Sequence, residues 1–214
     1  MNKSIALLSI GLVLLGNSVI CAAESGRLAM STSKADALLL KAAHENDYDK
    51  VLKALKRNAN VNSKDEVGQT ALSQSVYNGN LKLVQVLVEK GADVQFKKSD
   101  NSTLLHRALS PQMHDAWMMG KPNLYTRSTT AQRVEMVAFL LKQGVDPTLE
   151  DNSATLPVHL AVTKGSEYHD HIKLIRLLLP NKALLKHKNQ YGRTPIDRAS
   201  DPKIKAYLLS LFNE

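Results

Sequence analysis

The chain has 214 residues, 43% of them apolar and 22% charged, a balance that fits one or two globular domains and excludes disordered and fibrous classes. Its single cysteine, Cys21, cannot supply a disulfide framework or a cysteine-rich zinc site. The formal net charge of +8 suits an acidic partner, an anionic membrane surface or nucleic acid, and its sign alone does not choose among them.

At the N-terminus, Lys3 precedes an apolar run from Ile5 to Leu15, which Gly16 and Asn17 interrupt before the small-residue segment Cys21-Ala22-Ala23. That order is the pattern of a secretory signal peptide, with cleavage expected after Ala23. The run is well short of the roughly 20 apolar residues a membrane span needs. Lipoprotein processing at Cys21 is the rival, but Ile20 stands where Gly, Ala or Ser is required and Ser18 where Leu is usual. The expected organisation is a signal peptide over 1–23, a linker over 24–32 and a folded domain over 33–214. An exported chain of this kind would be periplasmic in a bacterium, where nucleic acid is not an expected ligand. The basic balance then reads as a solvated surface.

From residue 33 onward the chain repeats itself with a period of 33, visible as Thr70 to Thr103, Ala42 to Ser75 to Ala108, Val51 to Val84 and Ala59 to Ala92. His106 to His159, Val84 to Val137 and Gly91 to Gly144 are each 53 apart, one period plus an insertion of 20. Pro157 to Pro195 and Ala161 to Ala199 are each 38 apart, one period plus 5. Within the second copy Leu72, Ser75 and Val76 recur at helical spacing, Gly79-Asn80 breaks the helix, and Leu83, Val84, Leu87 and Val88 mark a second helix ended by Gly91. Each copy is therefore a helix pair plus a turn, which must stack on neighbours to bury its apolar face in a continuous row. Asp201-Pro202 predicts an N-cap and first-turn proline for a last helix through Phe212.

The segments Gly68-Gln69-Thr70-Ala71-Leu72, Gly79-Asn80-Leu81 and Leu87 to Val94 resemble an ankyrin repeat. Further copies align at Leu39 to Asp47, Thr103 to Ala108, Pro157 to Ala161 and Gly192 to Ala199. The resemblance implies an all-α solenoid of about five stacked repeats, each with a β-turn or hairpin, over 33–64, 65–97, 98–150 with an insertion at 111–130, 151–188 and 189–214. Asn46 and Asn58 replace the usual glycines, which Asn tolerates because it accepts left-handed backbone. Leu156 replaces the turn threonine of the fourth copy, so that cap is expected to be weakened.

Seven histidines invite a catalytic or metal reading. His106 and His159 occupy the Thr-Pro-Leu-His position, which the resemblance makes a structural device tying the turn to its neighbour. His44 would face the concave surface, and His187 reads as an isolated residue near a turn. His114-Asp115 and His169-Asp170-His171 fall in the inserted segments between paired helices, where zinc or copper ligation is an open possibility. No Gly-x-Ser-x-Gly, His-Glu-x-x-His or Walker-type phosphate loop is present, so neither an enzyme nor a cofactor is expected.

Binding of a protein partner is the function left. The resemblance places variable contact positions at Glu66, Val67, Gln69, Tyr77 and Asn78, then at Ser99, Asp100, Ser102 and Ser110. In the fourth copy they are Asn152, Ser153, Thr163 and Lys164, and in the fifth Gln190, Tyr191 and Arg193. Tyr77 and Tyr191 are the expected anchors, since aromatic and arginine side chains dominate interface hot spots. The insertion, with Trp117, Met118 and Tyr125 beside Met113 and Met119, is a second candidate surface. The expected identity is a monomeric periplasmic immunity protein that neutralises a toxic secreted enzyme such as a phospholipase or wall hydrolase. The alternatives are a helper that stabilises or positions a periplasmic enzyme, as in oxidative-stress defence, and a secreted effector acting on host proteins.

Overall fold

The computed structural model describes residues 33–110, 130–163 and 168–213. The expected signal peptide, the linker and nearly all of the insertion lie outside them. Ten α-helices follow in order within these segments: α1 (Lys34–His44), α2 (Tyr48–Lys56), α3 (Ala71–Tyr77), α4 (Leu81–Glu89), α5 (Leu104–Leu109), α6 (Thr130–Lys142), α7 (Pro157–Ala161), α8 (Tyr168–Leu178), α9 (Pro195–Arg198) and α10 (Pro202–Asn213). A 3-10 turn, Lys182–Lys186, stands between α8 and α9.

Short polar residues set where these helices begin. Asp47 and Asn80 accept the Lys50 and Leu83 N–H groups at 3.0 and 3.1 Å, capping α2 and α4. Asp201 accepts from Lys203 and Ile204 to open α10 at Pro202, as the Asp-Pro signal predicts. Each such cap is worth about 1 kcal/mol, which helices of four to thirteen residues need because short helices are marginal on their own.

Packing sorts the helices into two layers. The first helix of each pair contacts the next first helix, α1 on α3, α3 on α5, α5 on α7 and α7 on α9. The second helices form the other layer, with α4 on α6, α6 on α8 and α8 on α10. Antiparallel bridges Lys64 to Thr70 and Lys97 to Thr103 make the turns that precede α3 and α5. The apolar residues of the second copy fall as expected, with Leu72, Val76, Leu83, Val84 and Leu87 at most 1% exposed. The core divides into two clusters rather than one unbroken row. They meet at α8, whose Leu174 and Leu178 belong to the large cluster and Ile175 to the small one, while Leu179 packs against both.

Buried imidazoles tie the turns together, between repeats at His106 and across the fourth repeat at His159. His106 is 1% exposed, and its Nδ1 accepts the Thr103 N–H at 3.2 Å while Nε2–H donates to the Thr155 carbonyl at 2.8 Å. His159, fully buried, repeats the arrangement: Nδ1 accepts the Leu156 N–H at 3.1 Å and Nε2–H donates to the His187 carbonyl at 3.2 Å. Leu156 thus loses the side-chain half of the cap but keeps the backbone half. The reading of His187 as isolated is corrected. Its ring meets that of His159 edge-on at 5.7 Å, and its Nε2 lies 3.0 Å from the Ala154 carbonyl and 3.4 Å from Glu150 Oε1.

Left-handed backbone recurs at fixed repeat positions. Asn46 and Asn58 have φ of 57° and 58°, as their replacement of glycine predicts. Two residues before the turn residue, Gly68, Asn101, Ala154 and Gly192 have φ of 76°, 58°, 51° and 69°. Ala154 alone in that series carries a Cβ without a side-chain amide, a strain of about 1 kcal/mol.

Both bonded ring nitrogens of His159 are satisfied only in the neutral tautomer, and burial pushes its pKa down to about 4. Burial lowers His106 in the same direction. Since the folded value lies below the ordinary one near 6.5, this stabilisation is complete above pH 6.5 and is lost as pH falls toward 4. Urea unfolding should therefore lose on the order of 2 kcal/mol between pH 7 and pH 4.5, and His159→Gln should lose less over the same range. A wild-type midpoint that stays flat would contradict the neutral-imidazole tie.

Candidate functional site

The turns that lead into the first helices project as a row of tips, and side-chain oxygens shape each one. Asp65 Oδ1 accepts the Val67 and Gln69 N–H groups at 3.0 and 2.7 Å. Asp151 Oδ1 accepts those of Ser153 and Thr155 at 2.8 and 2.9 Å, and Asn189 Oδ1 those of Tyr191 and Arg193 at 3.0 and 3.1 Å. These three residues hold one repeat position, five before the turn residue, and the sequence reading passed over them although the period marks them. The third tip uses Asp100 instead, which accepts from Ser102 and pairs with Lys98 at 3.2 Å. Burial pushes the Asp100 carboxyl up, but the hydrogen bonds from Ser102 and Lys98 outweigh it and hold the group below its usual range.

Neighbouring tips are bonded to one another. The Asn152 N–H donates to the Asp100 carbonyl at 2.8 Å, and the Asn101 side-chain amide donates to Asn152 Oδ1 at 2.8 Å. The Gln190 N–H donates to the Ser153 carbonyl at 2.9 Å. Between the second and third repeats the link is a side chain: Arg107 donates to Gln69 Oε1 at 2.8 Å and stacks over the Tyr77 ring with its guanidinium 4.3 Å from the centroid. The sequence reading did not single out Arg107, because its part in this face depends on partners one repeat away.

The positions expected to contact a partner divide into two kinds. Val67 and Tyr191 are 63% and 70% exposed, and Glu66, Ser99 and Arg193 are exposed beside them. Gln69, Tyr77, Asp100 and Ser102 are half-buried within the bonded row. Asn78 lies inside instead, 7% exposed, with its amide donating to the Ala43 carbonyl at 3.0 Å. It ties the second repeat to the first, so stacking takes it away from the open face. Ser110 and Thr163 donate to backbone carbonyls of their own helices. Trp117, Met118 and Tyr125 of the insertion lie outside the described residues, as does Lys164.

Of the candidate metal ligands, only Asp170 and His171 have described side chains. His171 belongs to α8 rather than to a loop and is 2% exposed. His114 and the side chain of His169 lie outside the described residues. Among the described residues no group of three His, Cys, Asp or Glu side chains could hold a metal ion, and no helix is long and apolar enough to cross a membrane.

This division predicts opposite outcomes for two truncations. Asn78→Ala removes the amide that ties the second repeat to the Ala43 carbonyl, which keeps the Asn46 N–H at 3.2 Å, and should cost about 1 kcal/mol of stability. Tyr191→Ala removes an exposed ring and should cost less than about 0.5 kcal/mol. Thermal unfolding of the two variants checks this, and comparable losses in both would contradict it.

Comparison with known proteins supports the same architecture. Residues 39–116 match the family model of ankyrin repeats (3 copies). The human mitochondrial disaggregase is 30% identical over 188 residues, which cover 83% of this chain and 26% of that protein. The Notch-regulated ankyrin repeat-containing protein of Xenopus tropicalis is 53% identical over 49 residues, 23% of this chain and 43% of that one. Human BCL-6 corepressor-like protein 1 is 27% identical over 139 residues, 64% of this chain and 7% of that one. The chain thus spans about a quarter of the disaggregase and under half of the Notch-regulated protein. Scaffolds of this family are typically non-enzymatic and serve to bind other proteins. With its period of 33, its two helix layers and its row of bonded turn tips, the chain folds as an all-α ankyrin-repeat solenoid, a protein-binding architecture.

Proposed function

We propose that the chain is an exported, monomeric and non-catalytic ankyrin module that binds a secreted toxic enzyme in the periplasm and blocks it, as an immunity protein. The observation that carries a binding role is the row of tips, already hydrogen-bonded to one another, with Val67 and Tyr191 exposed among polar neighbours. Groups held in place before association lose little entropy on binding, which leaves more of the contact energy as affinity. The toxin reading adds the leader pattern of Lys3 through Ala23 and a residue set without a recognisable nucleophile or phosphate loop. A hydrolase such as a phospholipase or wall hydrolase is the proposed target, since an enzyme attacking the envelope would have to be stopped in that compartment.

A second reading, a helper that stabilises or positions a periplasmic enzyme, is favoured by one observation. The similarity to a protein named a disaggregase runs through 83% of this chain.

Capture of the tagged chain from a periplasmic extract of its own strain separates the readings. The immunity reading predicts one stoichiometric secreted hydrolase, inactive in the complex, whose affinity falls at least about tenfold with Tyr191→Ala. A bound enzyme that stays active would replace that reading with the helper. Absence of any stoichiometric partner would overturn both.

A further inference from the structure

Among the described residues, the second helices carry ten basic side chains against four acidic ones. Lys53 and Lys56 on α2, Lys82 on α4, Lys142 on α6, Arg176 on α8 and Lys205 on α10 are all exposed. None of the six forms an ion pair among the described residues. The acids on the same helices are Asp49, Glu89, Glu135 and Asp170, and Asp170 is already paired with Lys173 at 3.1 Å. The overall charge of +8 is therefore not spread evenly.

Aromatic rings interleave with the cations. Lys82 sits 4.2 Å above the Tyr48 ring, Lys186 5.1 Å from the Phe212 ring, and Arg176 Nε–H donates to the Tyr207 hydroxyl at 3.0 Å. At the C-terminal end of the layer Leu209 and Phe212 are 42% and 43% exposed, on the same helix as Lys203 and Lys205. Polar residues would be expected on the outer side of a capping helix in water. Apolar side chains flanked by lysines suit the boundary between lipid headgroups and acyl chains, where the ring and leucine enter and the ammonium groups meet phosphate.

We propose that this second-helix layer is a docking surface for an anionic lipid bilayer, used independently of the protein-binding tips. Charge complementarity and the exposed Leu209 and Phe212 commit the assignment to a membrane rather than to nucleic acid. Nucleic acid offers phosphate but no apolar phase, and side-by-side helices present no single element shaped to enter a major groove about 12 Å wide.

The experiment is co-sedimentation of the full chain with vesicles of phosphatidylcholine alone and of phosphatidylcholine with phosphatidylglycerol, over a salt series. The difference between the two vesicle types cancels any charge-independent binding by the N-terminal apolar run. The expected result is binding that needs phosphatidylglycerol, is lost near 0.5 M salt, and weakens at least about 100-fold in the combined variant Lys53→Glu, Lys56→Glu, Lys142→Glu, Lys205→Glu. Glutamine at the same four positions serves as a second variant if charge reversal disturbs folding by circular dichroism, and should still weaken binding at least about tenfold. Phe212→Ser should weaken it several-fold without altering the thermal midpoint. Equal sedimentation with both vesicle types would overturn the proposal, as would unchanged binding by both charge variants. Binding of a duplex of about 20 base pairs, with no binding to the anionic vesicles, would overturn it in favour of nucleic acid.

Discussion

A helix pair of some nine residues per helix cannot cover its own apolar face, so every repeat depends on its neighbour for a partner surface. The polar groups at each junction must then be satisfied across it. Here that requirement is met by side chains reaching to backbone, His106 to Thr155 and Asn78 to Ala43, while His159 to His187 and His187 to Ala154 tie the two ends of the fourth repeat together. Each link fixes spacing as well as energy, because a hydrogen bond near 3 Å fails if the repeats slip by one residue. Dispersion and apolar burial drive the stacking, and these ties choose its register.

The same links position the binding face. A turn tip built on Asp65, Asp151 or Asn189 has its own backbone bonded, bonds through Asn152 and Gln190 connect the tips of the last three repeats, and Arg107 brings Gln69 of the second into the row. Function and stability are thus carried by adjoining residues. Asn78 and Tyr77 stand side by side in sequence, yet one is spent on holding two repeats together while the other supports Arg107 at the open face. The tips and the second helices also differ in chemistry, with mixed polar and aromatic groups on the tips and a basic, partly apolar surface on the second helices.

Much of this architecture was legible in the sequence, because a fixed period multiplies weak signals. Thr70 and Thr103, one period apart, locate their turns, and Asn46 and Asn58 could be read as left-handed because they fall where Gly79 and Gly91 fall. Asp65, Asp151 and Asn189 were equally accessible through the period, but a carboxylate in a turn reads as surface until its two N–H partners are seen. His187 and Arg107 were not accessible in that way. Arg107's partners lie one repeat away and those of His187 at the far end of its own repeat, contacts that the local spacing does not encode, and the same holds for the burial of Asn78. The weakened cap expected at Leu156 was half right, since the backbone N–H finds His159 without any help from the side chain. The divided core was hidden because α8 supplies apolar residues to both sides within one turn, and periodicity marks them all simply as buried.

Binding at this face depends on tips that are ordered before any partner arrives. Hydrogen exchange of the Val67, Gln69, Ser153, Thr155, Tyr191 and Arg193 amides in the free protein tests it most directly, because each is bonded to an Asp or Asn side chain rather than to a helix. Preordered tips predict exchange slowed at least about a hundredfold relative to an unstructured chain. Exchange at unstructured-chain rates, with slowing only after a partner is added, would contradict the account and make the binding face a product of binding.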